Sequence, residues 1–90
     1  MVLRISTRIA EGTPVRLKLE GNLTGEWVVL LQHECRRYLD ARETLELDLV
    51  GVGFIDRPGV AMVRGLLARN VRLVGASALV DALLGLEGFP

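Results

Sequence analysis

The sequence predicts an α/β two-layer sandwich: a four-stranded mixed sheet in the order 1-2-3-4, its first strand antiparallel, with helices on one face in the order ββαβαβα. Three observations carry this. Apolar residues alternate with polar ones in Val2–Ile9 and Val15–Glu20, and strictly in Leu45–Leu49, the period of a strand with a single buried face. Between and after these runs the period changes to three and four residues, as on a helix that covers a sheet. The third strand is acidic outside (Glu46, Asp48), whereas the second offers Arg16 and Lys18 and the fourth Arg72. Opposite charges on neighbouring strands contribute a few tenths of a kcal/mol and like charges oppose pairing, so the acidic strand belongs between two basic ones. The right-handed crossover rule then places both connecting helices on the same face.

Each element follows in turn. In the first strand Leu3, Ile5 and Ile9 face inward, and the turn Ala10-Glu11-Gly12-Thr13-Pro14 makes a hairpin with Val15–Glu20. Gly21-Asn22-Leu23-Thr24 closes the second strand, with Thr24 as candidate helix cap. The first helix runs from Gly25 to about Ala41. Its apolar stripe is Trp27, Leu30, Leu31, Cys35, Tyr38 and Leu39, and Gln32, His33, Arg36 and Arg37 lie on the outer side.

The stretch Leu45–Gly59 organises the chain. After the alternating strand, Gly51 and Gly53 are expected to let the backbone turn, and Phe54 and Ile55 to anchor it. Pro58 suits the first helical position, because its missing N–H has no partner to lose there. A residue before proline avoids helical dihedrals, which makes Arg57 the expected cap. The second helix covers Pro58 to about Ala68, with Val60, Val63, Leu66 and Leu67 inward, and breaks near Asn70. Val71–Val74 is the fourth strand. Ser77 caps a last helix with Leu79, Val80, Leu83 and Leu84 as its apolar side, and Gly85–Pro90 ends irregularly.

Composition narrows the function. Ninety residues make one domain, 1–90. Eleven basic residues balance eleven acidic ones, so the electrostatic footprint of a nucleic-acid binder is missing. Apolar runs fall short of the roughly 18 residues of a membrane span, and no direct membrane insertion is expected. The N-terminus carries no basic-then-apolar signal segment, and the single cysteine fits a reducing compartment. A cytoplasmic protein is expected.

Chemistry-bearing motifs are sparse. His33 and Cys35 sit two apart on a helix, pointing some 200° apart, and no other Cys or His completes a metal site. Gly51-Val52-Gly53 has neither a P-loop pattern nor a third glycine, since Asp56 stands there. No nucleophile has a base in evident reach. The reading is a non-enzyme with no cofactor and no metal. Interest falls on the turn beyond the third strand, where open α/β sheets meet ligands and partners. There Asp56 is either a partner contact or a carboxylate settled at a helix start, and Arg57 is a cation where the helix dipole does not call for one.

The layout, together with Gly21-Asn22-Leu23-Thr24, Leu47-Asp48-Leu49, Gly53-Phe54-Ile55-Asp56, Gly59 and Leu83-Leu84-Gly85-Leu86-Glu87-Gly88, resembles the STAS family of anti-sigma-factor antagonists and sulfate-transporter domains. The resemblance implies a regulatory protein-binding module. In the family's signalling members a serine or threonine just before the glycine is phosphorylated by an anti-sigma kinase. Here Pro58 holds that position, Arg57 the one before it, and Thr24 replaces a commonly acidic loop residue. The resemblance therefore implies a docking edge of Thr24, Asp56, Arg57, Pro58, Gly59 and Val60 without phosphorylation at residue 58; any phosphate would sit elsewhere, for instance on Thr24 or Ser77. The implied partner is an anti-sigma factor or kinase-like protein. Alternatives are a small-molecule or anion sensor using the same helix start, and a small cytoplasmic subunit of a lipid-transport complex. A homodimer through the polar sheet face or an edge strand is also open.

Overall fold

The computed structural model describes residues 3–9 and 14–85. The start of the first expected strand at Val2, the turn at Ala10–Thr13 and the segment beyond Gly85 lie outside them. The elements are β1 (Arg4–Arg8), β2 (Val15–Leu23), α1 (Glu26–Asp40), β3 (Leu45–Ile55), α2 (Arg57–Leu67), β4 (Arg72–Val74) and α3 (Ala78–Leu84). The strands form one sheet in the order β1-β2-β3-β4, with β1 antiparallel to β2 and the other two pairings parallel.

The charge argument for strand order holds residue by residue. Arg16 of β2, Glu46 of β3 and Arg72 of β4 stand in one cross-strand row, and Lys18 faces Asp48 in the next. Arg16 donates from Nε to Glu46 Oε1 at 2.7 Å. Glu46 lies on the outer face, yet only 7% of it is exposed. Losing Arg16 would leave the Glu46 carboxylate shielded from water and unpaired, a costlier loss than that of a freely solvated surface pair, which contributes about 0–1 kcal/mol.

The core lies between the opposite face of the sheet and the helices. Val15, Leu17, Leu19 and Leu23 of β2 meet Leu45, Leu47, Leu49, Val52 and Ile55 of β3, and Val28, Leu31, Cys35, Val63, Leu66, Val80 and Leu84 cover them from the three helices. The helical stripe of α1 is rotated from the expected one. Val28 is buried, whereas Leu30 is 48% exposed, and Trp27, Tyr38 and Leu39 pack at the margin. Ile9 and Leu79 are likewise exposed; Ile9 lies past the end of the edge strand, and Leu79 points away from the sheet on the first turn of α3.

The main departure from the sequence reading is in β3. Gly51 and Gly53 do not turn the chain: the strand continues unbroken to Ile55. What they permit is a change of phase. From Lys18↔Asp48 to Glu20↔Gly51, β2 advances two residues and β3 three; from Gly21↔Val52 to Asn22↔Phe54, β2 advances one and β3 two. Each step inserts one extra residue into β3, a pair of bulges. The inward series of β3 therefore runs Leu45, Leu47, Leu49, Val52, Ile55, while β2 keeps its alternation to Leu23. Phe54, expected as a second anchor, falls on the outer side and is 44% exposed. Bulging also draws the backbones together. A Cβ on Gly51 would lie 3.0 Å from the carbonyl oxygen of Leu19 and 2.9 Å from Cγ of Glu20.

Cys35 is fully buried and unbonded to another cysteine. Burial, assisted by the nearby negative charge of Glu34, pushes its thiol from 9.0 up to about 12. The raised value means that the folded state holds the proton more tightly than the unfolded chain. The corresponding stability is complete below pH 9 and is lost as pH rises toward 12.

Two predictions follow from this packing. Gly51→Ala must push β3 away from the Leu19 carbonyl and is expected to cost about 1–3 kcal/mol in urea unfolding. In the native protein Cys35 should resist alkylation at neutral pH and react at the rate of unfolding; rapid modification of the folded chain would contradict the burial described.

Candidate functional site

The carboxyl ends of β2 and β3 carry the starts of α1 and α2, and one side chain ties them together. Asp56 is the N-cap of α2, with extended backbone (φ −80°, ψ 176°). Its Oδ1 accepts from the Gly59 backbone N–H at 2.9 Å, and its Oδ2 accepts from the Gly25 N–H at 2.9 Å. Its own N–H donates to the Leu23 carbonyl at 3.2 Å, and its carbonyl accepts from Val60 N–H at 2.8 Å. Asp56 is thus bonded to the end of β2, the N-cap of α1 and the first turn of α2 at once. Carboxylates accepting from backbone amides form the stronger class of hydrogen bond, and a negative charge at a helix start is favoured by the dipole.

The cap is therefore Asp56 and not Arg57. Arg57 is the first helical residue and Pro58 the second. The proline still costs no helical hydrogen bond, since the N–H groups of the whole first turn lack intrahelical partners. The tendency of a pre-proline residue to avoid helical dihedrals yields to the better capping chemistry of aspartate. At α1 the cap also shifts by one, from Thr24 to Gly25, which makes no side-chain capping bond and has φ 56° and ψ −130°. Thr24 contributes its carbonyl, which accepts from Trp27 N–H at 3.1 Å. Ser77 caps α3 as expected, with Oγ accepting from Val80 N–H at 3.2 Å.

The residues expected at a docking edge separate into two sets. Arg57 and Pro58 are exposed and Thr24 is half-buried beside them. Arg57 makes no hydrogen bond or ion pair among the described residues. Gly59 is buried and Val60 and Asp56 are half-buried. A Cβ on Gly59 would lie 2.7 Å from Ile55 Cγ2 and 2.9 Å from the Leu23 carbonyl oxygen, so the close approach that demands glycine is to this chain's own backbone. Gly59 and Asp56 build the tip; Arg57, Pro58 and Thr24 form its surface. Phe54 and Gly25, both exposed, were not picked out as site residues from sequence. The two bulges cancel in phase, so Phe54 lies on the outer face, where plain alternation from Leu45 also puts it.

The tip is not rich in free amides. At the start of α2 the Gly59 N–H is held by Asp56, the Val60 N–H by the Asp56 carbonyl, and Pro58 has no N–H. The site offers a guanidinium and a rigid apolar ring on a fixed mount. His33 is exposed and Cys35 buried, and no cluster of three or more His, Cys, Asp or Glu able to hold a metal ion occurs among the described residues.

The internal role of Asp56 is directly testable. Asp56→Ala removes both acceptors and should cost about 1–3 kcal/mol. Asp56→Asn keeps one acceptor but turns an N–H₂ group toward the other amide, and should fall between alanine and wild type. Urea unfolding measures the order; equal stability of all three would remove the two-amide tie.

Comparison with known proteins agrees on architecture. No family model matches the chain, and no curated protein matches it in sequence. Among solved structures, the anti-sigma factor antagonist SpoIIAA in its unphosphorylated form superposes with a TM-score of 0.73 at 16% identity, over 96% of this chain and 86% of that one. An uncharacterised protein of Shewanella loihica with a SpoIIAA-like fold gives 0.59 at 14% identity, over 90% and 73% of the two chains. Part of the Mglu crystal structure, 18% of its length, gives 0.56 at 24% identity over 78% of this chain. The mixed sheet in the order β1-β2-β3-β4 and its three helices match the SpoIIAA-like fold.

Proposed function

We propose that the chain is a non-catalytic, cytoplasmic regulatory module of the anti-sigma-factor-antagonist type that docks a protein partner at the tip formed by Thr24, Arg57 and Pro58, without a phosphate switch at residue 58. The observation that carries this reading is the exposed, unpartnered Arg57 beside Pro58 on a helix start fixed by Asp56. A cation at the positive end of a helix is mildly unfavourable for the isolated chain, so its use lies in what it meets outside. The partner expected from its chemistry presents a carboxylate or a similar acceptor to Arg57 and an apolar surface to Pro58 and Phe54. The likeness of fold to an anti-sigma factor antagonist supports a partner of the anti-sigma factor class; a transporter subunit is the other protein partner this surface would suit.

The SpoIIAA structure that this chain resembles is that of an unphosphorylated form. Proline cannot accept a phosphoryl group, so this chain would bind at the tip constitutively. Anion sensing at the same helix start has less support. The Asp56 carboxylate already occupies the Gly59 and Gly25 amides and would repel an incoming phosphate.

The test is retention of partner on immobilised protein, wild type against Arg57→Glu, with captured proteins identified by mass spectrometry. A partner held by wild type and lost with Arg57→Glu is expected, and equal recovery removes Arg57 from the proposal. Thermal unfolding with phosphate, sulfate and nucleotides should show no rise in Tm, because a ligand that binds only the folded state must raise it. A concentration-dependent rise abolished by Arg57→Glu would instead establish the anion-sensing alternative.

A further inference from the structure

A second surface lies away from the tip, between α1 and α2. Because β2, β3 and β4 are parallel, both helices descend in the same direction from the tip, and a cleft of about 260 Å³ opens between them. Its apolar side is Leu39 from α1 with Met62 and Leu66 from α2. Arg36 stands on the α1 rim and Arg69, just past α2, on the other, and no carboxylate lines it. Arg36 and Arg69 are exposed, and neither side chain makes a hydrogen bond or an ion pair among the described residues.

The wall of the cleft holds an independent clue. Gly65 lies in the interior of α2, where glycine is among the least favourable residues. Elsewhere in this fold glycine answers a packing need: a Cβ on Gly51 or Gly59 would collide with backbone. A Cβ on Gly65 would meet no atom of another element within 4 Å among the described residues, so their packing does not require glycine there. What glycine does at this position is keep the cleft open to close approach from outside.

The size and chemistry select the occupant. Small-molecule pockets run to about 300–1,000 Å³ and enclose most of their ligand; this cleft is smaller and open along one side. It fits side chains inserted by a larger partner. Two parallel helices with an apolar floor, an adaptable methionine and a point of close backbone approach match the helix-in-groove mode of recognition. Guanidinium groups on both rims, with no acid between them, select negative charge. We propose that the α1–α2 cleft docks an acidic amphipathic helix of a protein partner, its apolar face on Leu39, Met62 and Leu66, its backbone passing Gly65, and its carboxylates flanked by Arg36 and Arg69. This surface is separate from the tip, and the proposal stands without the role assigned there.

The experiment uses two stapled helical peptides, identical in a leucine stripe and differing only in glutamate or lysine on both flanks, titrated into the full chain and followed by backbone amide NMR at about 0.15 M ionic strength. The glutamate peptide is expected to shift the amides of Leu39, Met62 and Gly65 and to bind about tenfold or more tightly than the lysine peptide. Gly65→Ala should raise Tm by roughly 4–8 °C while weakening the glutamate peptide, a combination that no folding defect produces. Arg36→Glu with Arg69→Glu should reverse the preference between peptides, and Arg57→Glu should leave it unchanged. Absence of binding by the glutamate peptide, equal binding of the two peptides, shifts confined to other surfaces, or full affinity in Gly65→Ala would each overturn the proposal.

Discussion

The carboxylate of Asp56 is the interaction on which the geometry of the β3–α2 tip depends. It meets two backbone amides at the starts of different helices, one 31 positions before it in the chain and the other 3 after it. Without it the start of α1 has no side-chain cap at all, since Gly25 supplies none. Burial of apolar side chains supplies most of the driving force for folding, but burial is non-directional. The tip is defined to within a hydrogen bond because one residue accepts from both helices and donates to the end of β2.

That residue reaches its place through the two bulges of β3. Without the extra residues, Leu23 of β2 would pair with Gly53, three residues short of Asp56. With them, Ile55 is inward beside Leu23 and the next residue begins the helix. The glycines matter here through what they omit. Gly51 lets β3 close on the Leu19 carbonyl, and Gly59 lets the first turn of α2 settle on the Leu23 carbonyl. The carboxyl ends of two inner strands, two irregular strand positions and a helix cap form one mechanical unit.

Much of this was legible in the sequence because most strands obey a simple period. Leu45, Leu47 and Leu49 alternate against Glu46 and Asp48, and the charge pattern of Arg16, Glu46 and Arg72 was enough to order the sheet. Cys35 and His33 were placed by helical spacing. Legibility ends where two local rules compete. Gly51 and Gly53 satisfy a turn as well as a bulge, and only the pairing with β2 decides between them. Asp56 and Arg57 both qualify as caps, one by side-chain chemistry and the other by its place before proline; the contact with Gly25, remote in sequence, favours the first. Leu30 and Val28 differ by about half a turn of helix, and the packing of α1 against β2 and β3 selects the one that a stripe drawn from Trp27 and Leu31 does not.

The link from Gly25 to Asp56 joins positions separated by the whole of α1 and β3. Such a contact closes only after the intervening crossover has packed, since non-local contacts must first overcome the entropy of loop closure. Nascent or partly unravelled chains would own every residue of the tip and still lack its shape. A partner that docked there would thereby receive a report on the completeness of folding, and half-made copies of the protein would be silent to it.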